Sequence, residues 1–93
     1  MNLDITNSVK KFLAELPPKQ FKQVSMRMLE LNRIPPPPHD SRHLSGHPGC
    51  FRIDSGEYRI CYQINAPNNV VEVITVGPRN DGEVYKKLER KKR

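Results

Sequence analysis

Residues 50–64 read CFRIDSGEYRICYQI, and their alternation decides the fold. Phe51 and Ile53 alternate with Arg52 and Asp54; Tyr58, Ile60, Tyr62 and Ile64 then alternate with Arg59, Cys61 and Gln63. A period of two over both runs marks two strands with one apolar face, and Ser55-Gly56 between them reads as the tight turn of a β-hairpin. With those two residues as the loop, Asp54 faces Glu57, Ile53 faces Tyr58, Arg52 faces Arg59 and Phe51 faces Ile60. Like charges directly opposed across strands cost stability, so a cross-strand arginine pair asks for a reason. A bound polyanion is one reason. The other is a solvated ladder in which Asp54 and Glu57 screen the arginines, and such surface ion pairs contribute little.

Working outward, Asn2–Ile5 reads as a short first strand, with Thr6 or Asn7 capping a helix whose apolar residues Val9, Phe12, Leu13 and Leu16 fall on one stripe. Pro17-Pro18 ends that helix and, because proline fits a first helical turn, opens the next. Phe21, Val24, Met28 and Leu31 form the second stripe, giving a helical hairpin, with Met26 and Met28 read as core filler and Lys19, Lys22 and Arg27 as a solvated face. Pro35 to Pro38 is a stiff extended connector. His39, His43 and His47 are spaced by four, as a helical metal site requires, but Gly46, Pro48 and Gly49 argue for a loop and no further ligand completes the set. Pro67, Asn68 and Asn69 make a turn before a third clear strand at residues 70–76, which Gly77-Pro78 stops. Asn80 or Asp81 caps a final helix from about Glu83, leaving Arg79 in the strand-to-helix loop and Tyr85 in the first turn. The expected fold class is α+β: a small, mostly antiparallel sheet with an N-terminal helical hairpin and a C-terminal helix, in the order β-α-α-β-β-β-α. Arg52 and Arg59 are expected exposed on the face away from the helices.

At 93 residues the chain is expected to be a single domain, residues 1–93, with one modest core. A net charge of +6 favours an acidic partner, either nucleic acid or an acidic protein segment. Residues 83–93 hold six basic and two acidic side chains, a run that reads as a solvated helix end or flexible arm rather than a specific site, and that can add non-specific phosphate affinity. Cys50 and Cys61 are expected on opposite faces of adjacent strands, as small hydrophobes without a disulfide. No apolar run suits a signal peptide or membrane span, so the expected location is the cytoplasm, with no membrane partner. No Ser-His-Asp set, glycine-rich phosphate loop or zinc motif is visible, and neither cofactor nor metal is expected.

The segments RHLSGHPGCFRIDSGEYRICYQI (residues 42–64) and VEVITVGPRNDGEVYKKL (residues 71–88) resemble the RelE/ParE superfamily of bacterial toxin-antitoxin toxins, and together they span about half the chain. CFRI, EYRICYQI, VITVG with the arginine two residues on, and EVY resemble the RelE branch. That resemblance implies a toxin of a type II system: a ribosome-dependent, metal-independent endoribonuclease that cleaves mRNA in the A site, with a cognate acidic antitoxin, the ribosome and mRNA as partners. It places Arg52, Arg59, Arg79 and Tyr85 in the catalytic site, with Lys86 and Lys87 joining Arg52 and Arg59 in substrate binding. One position departs from the pattern: two residues beyond Arg52 the family carries a second basic residue, and this chain has Asp54. Two other readings stand beside it, a ParE-like inhibitor of DNA gyrase and a non-catalytic basic binding domain.

The residue types suit RNA cleavage. The 2′-hydroxyl of RNA is a built-in nucleophile, so the protein must remove its proton, stabilise charge on the phosphoryl oxygens and protonate the leaving 5′-oxygen. Arginine suits the second task, since its planar fork donates two hydrogen bonds and stays charged. The general base is open between Tyr85, whose reference pKa of about 10 must be lowered by neighbouring arginines, and Asp54, which beside two arginines is a weak proton acceptor.

Overall fold

The computed structural model describes residues 2–33, 41–44 and 46–78. Their order is β1 (Asn2–Ile5), α1 (Asn7–Ala14), α2 (Pro18–Arg33), β2 (Arg42–His43), β3 (Cys50–Ser55), β4 (Tyr58–Asn65) and β5 (Val70–Pro78). One sheet runs β1-β5-β4-β3-β2, antiparallel except where β1 lies parallel to β5. The α+β class and the succession strand, helical hairpin, strands agree with the sequence reading. The Pro35–Pro38 connector, the final helix, Arg79, Tyr85, Lys86 and Lys87 lie outside the described residues.

Thr6 fastens the first strand to the first helix. Its backbone N–H donates to the Val73 carbonyl, its hydroxyl donates to the Ile74 carbonyl at 3.1 Å, and the same oxygen accepts from Val9 N at 3.4 Å as the α1 N-cap. The helices bury Val9, Leu13, Val24, Met28 and Leu31 against Ile53, Ile60, Tyr62, Val71, Val73 and Val76 of the sheet. Phe12 meets Tyr58 edge-on at 5.9 Å, tying α1 to the hairpin. Phe21 is a correction to the expected stripe: near the start of α2 it is 45% exposed, whereas Val24, Met28 and Leu31 farther along the helix are buried. Met28 is core, whereas Met26 is exposed. Arg27 is not merely solvated, for its Nε donates to the Asp54 carbonyl at 3.1 Å and its guanidinium pairs with Glu30.

The hairpin turn falls one residue later than the spacing places it. Gly56-Glu57 is the loop, Gly56 has φ +59°, and Ser55 is the last residue of β3, paired with Tyr58. Two physical causes select this register. A glycine at the first loop position supplies the positive φ that a two-residue turn of this hand needs. Ser55 is buried on the helix side, where its hydroxyl donates to the Gln23 carbonyl at 3.4 Å. Every partner on β4 therefore moves by two residues while each side chain keeps its face: Ile53 is opposite Ile60, Phe51 opposite Tyr62, Asp54 opposite Arg59 and Arg52 opposite Cys61.

Three smaller expectations change. Part of the expected histidine loop is the edge strand β2, in which His43 pairs with Phe51 and packs against its ring in a tilted contact, the centroids 4.3 Å apart. Strand β5 runs through Gly77 to Pro78, opposite Arg59 and Tyr58. Proline is tolerated there because it ends the strand where β1, paired only as far as Val73, no longer runs alongside. Cys50 and Cys61 share one face rather than opposite faces, as free thiols in a second buried cluster with Leu44 and Ile74. No described helix is long and apolar enough to cross a membrane.

Candidate nucleic-acid interface

On β3 and β4, residues with one parity enter the helix-side core and those with the other parity face away from it. Arg52, Asp54, Arg59 and Cys61 therefore stand together on the face opposite the helices. The sheet supplies the spacing: Arg52 is directly opposite Cys61, and Arg59 is two residues along the same strand as Cys61. The arginines are not simply exposed, as the sequence reading has them. Arg52 is half-buried, and the Arg59 side chain is only 16% exposed.

Asp54 holds the second of these arginines. Arg59 Nε donates to Asp54 Oδ1 at 2.9 Å across the strands, a charge-assisted bond that orients the guanidinium plane. The backbone of Asp54 is held in turn by Arg27, which reaches from α2 around the edge of β3. The edge is open there because β2 pairs only with Phe51 and Arg52. The expected face-to-face pair of Arg52 and Arg59 does not form. Its place is taken by Asp54 with Arg59, and Arg52 instead has Arg42 of β2 directly opposite it.

Cys61 lies between the arginines as a buried floor. Burial pushes its thiol up to about 12, with Arg59 pulling the other way as the next largest influence, then Cys50 raising it and Arg52 lowering it. At neutral pH it is a protonated thiol and no nucleophile. The floor is completed by Thr75, opposite Cys61 on β5, beyond which a bulge shifts the register so that Tyr62 meets Val73.

Of the sequence-derived site residues, Arg52 and Arg59 are brought onto one face; Arg79, Tyr85, Lys86 and Lys87 lie outside the described residues. Arg42 is the residue that sequence reading missed. A two-residue strand is too short to show an alternation, so nothing in residues 41–44 announces its register with Arg52.

The comparisons with known proteins agree with this architecture. A family model described as the ParE toxin of the type II toxin-antitoxin system parDE matches residues 3–82. The chain is 38% identical over 69 residues to the mRNA interferase toxin RelE of Escherichia coli strain K12, an alignment that covers 72% of this chain and 67% of that one. Among solved structures, a doubly arginine-to-alanine mutant of E. coli RelE in the free state superposes with a TM-score of 0.78 at 27% identity, over 97% of this chain and 95% of that one. The toxin of the intact E. coli RelBE toxin-antitoxin complex superposes with a TM-score of 0.71 at 27% identity, over 85% and 96%. Fold, sheet face and sequence thus lead to one assignment: the chain belongs to the RelE/ParE superfamily of type II toxin-antitoxin toxins and is a RelE-like member of it.

Proposed function

We propose that this toxin acts as a single domain, residues 1–93, and is a ribosome-dependent endoribonuclease that cleaves mRNA in the A site and so stops translation. The observation that carries the reading is the pair Arg52 and Arg59 on one sheet face, one of them aimed by Asp54, in a chain 38% identical to a protein named mRNA interferase toxin RelE. In this mechanism the 2′-oxygen attacks the adjacent phosphorus, the bond to the 5′-oxygen breaks, and a 2′,3′-cyclic phosphate is left on the upstream fragment. Arg52 and Arg59, joined by Arg79, neutralise the charge that grows on the phosphoryl oxygens. Tyr85, acting as its phenolate, takes the 2′-hydroxyl proton, and water supplies the proton that turns the departing 5′-oxygen into a hydroxyl; Asp54, whose carboxylate is engaged with Arg59, serves to orient rather than to accept. Lys86 and Lys87 bind the message backbone; side chains with water meet these demands, so the reaction runs without a metal.

The toxin works in the cytoplasm, where ribosomes and message are. Its partner is a cognate acidic antitoxin, in keeping with the toxin-antitoxin complexes solved for similar RelE proteins. A segment of that kind folds onto the basic surface. The match to a ParE family model favours a second reading, inhibition of DNA gyrase. Expression of the chain without an antitoxin separates them: protein synthesis is expected to halt first, with message cut, whereas an early halt in DNA synthesis with intact message assigns the toxin to the gyrase inhibitors.

A further inference from the structure

Arg42 is exposed, and its Cα is the direct antiparallel partner of that of Arg52. Directly opposed residues lie about 4.5–5.5 Å apart at Cα and project from the same face, so Arg42 shares the side of Arg52, Arg59 and Cys61. Leu44, two residues along, confirms the parity by packing with Cys50 and Cys61. Among the described residues neither Arg42 nor Arg52 makes an ion pair: Asp54, the acidic residue of β3 on this face, bonds Arg59, and the other acidic residues of the face, Glu72 and Asp4, lie on β5 and β1, at the far side of the sheet from β2. The charge ladder that would explain cross-strand arginines without a ligand is therefore spent on a different pair. Among the described residues, what remains is an arginine pair at the sheet edge with no acidic partner, an arrangement that an anion stabilises.

We infer that Arg42 is a substrate-binding residue that takes an RNA phosphate next to the one held by Arg52, extending the cationic track from β4 across β3 to the outer strand β2. The inference rests on the RNA-cleaving reading for the identity of the anion and on the register alone for the residue. Arg42 contributes to binding and not to the chemical step, because it stands one strand farther from Arg59 than Arg52 does.

The test uses the full chain with Arg42→Ala and Arg42→Lys, each verified as folded by its melting temperature. Single-turnover cleavage of message on programmed ribosomes, followed against toxin concentration, gives the half-saturating concentration and the maximal rate separately. Arg42→Ala is expected to raise the former about tenfold and leave the latter unchanged, with Arg42→Lys recovering most of the loss. The binding of a fluorescent single-stranded RNA, titrated at several salt concentrations, is expected to lose about 0.7 from its logarithmic salt slope in Arg42→Ala. Half-saturation and salt slope equal to wild type overturn the inference, as does wild-type protein that does not bind the RNA. A wild type that binds RNA through Arg42 yet cuts no message sustains the inference and removes the cleavage reading instead.

Discussion

Asp54 and Arg59 face each other across the β3–β4 hairpin, with Arg59 Nε donating to Asp54 Oδ1 at 2.9 Å. The carboxylate meets the guanidinium at Nε and thereby sets the direction in which its plane points. A position that carries positive charge in the family pattern thus carries, in this chain, an acceptor that aims the neighbouring arginine.

That geometry separates the two properties of Asp54. Asp54→Asn keeps an oxygen in place to accept from Nε while removing the charge, so single-turnover cleavage is expected to be unchanged or faster. Asp54→Ala removes the acceptor and is expected to slow cleavage about tenfold by letting Arg59 wander from its productive orientation. A severe loss in Asp54→Asn would make Asp54 the proton acceptor.

Arg59→Ala is expected to lower the cleavage rate about a hundredfold to a thousandfold, the usual effect of deleting a preorganised donor to a charged transition state. Its fold should persist, because Arg59 lies on the face opposite the main core. Circular dichroism and a melting curve check the second statement; near-normal cleavage would take Arg59 out of the site.

Tyr85→Phe keeps the ring for stacking and removes the hydroxyl. Clear impairment of cleavage with unchanged ribosome binding is expected if Tyr85 takes the 2′-hydroxyl proton. Undiminished cleavage would return the role of base to another group.

Gly56→Ala tests the turn that sets the register. A Cβ at φ +59° is strained, and it would lie 3.0 Å from the end of the Gln23 side chain, which can move aside. Loss of about 1–2 kcal/mol in chemical denaturation is expected, from backbone strain in the main. Equal stability would mean that the turn does not require the left-handed conformation.

The raised thiol of Cys61 has a measurable consequence at alkaline pH. Its value moves from 9.0 to about 12 on folding, so the native state keeps a proton that the unfolded chain releases. The stabilisation is complete below pH 9 and falls as pH rises toward 12, at up to about 1.4 kcal/mol per pH unit. Denaturation of wild type and Cys61→Ala from pH 7 to 10.5 should show this slope in the former and its absence in the latter; parallel profiles would contradict it.

Alternation over residues 50–64 put Arg52, Asp54 and Arg59 on one side and Phe51, Ile53 and Ile60 on the other, as they stand in the fold, whereas Cys50 and Cys61, expected on opposite faces, share one. The register was not legible in the sequence, because it turns on one residue of the loop and on the contact of Ser55 with Gln23, a residue 32 positions away that local pattern does not report. The helical stripe likewise foretold Val24, Met28 and Leu31 as core but not the exposure of Phe21, because periodicity names a face of the helix and not how far along it the tertiary packing reaches. Arg52 and Arg59 were read from strand parity. Arg42 escaped notice because β2 is two residues long and is defined only by its pairing with β3.

The central claim is that this chain cuts message on the ribosome by way of the RNA's own 2′-hydroxyl. The most direct measurement is to mix the purified chain with programmed ribosomes, recover the message, and analyse the new ends. The account predicts a cut within the A-site codon, a 2′,3′-cyclic phosphate on the upstream fragment and a free 5′-hydroxyl on the downstream one. Intact message, or ends bearing a 5′-phosphate, would contradict it.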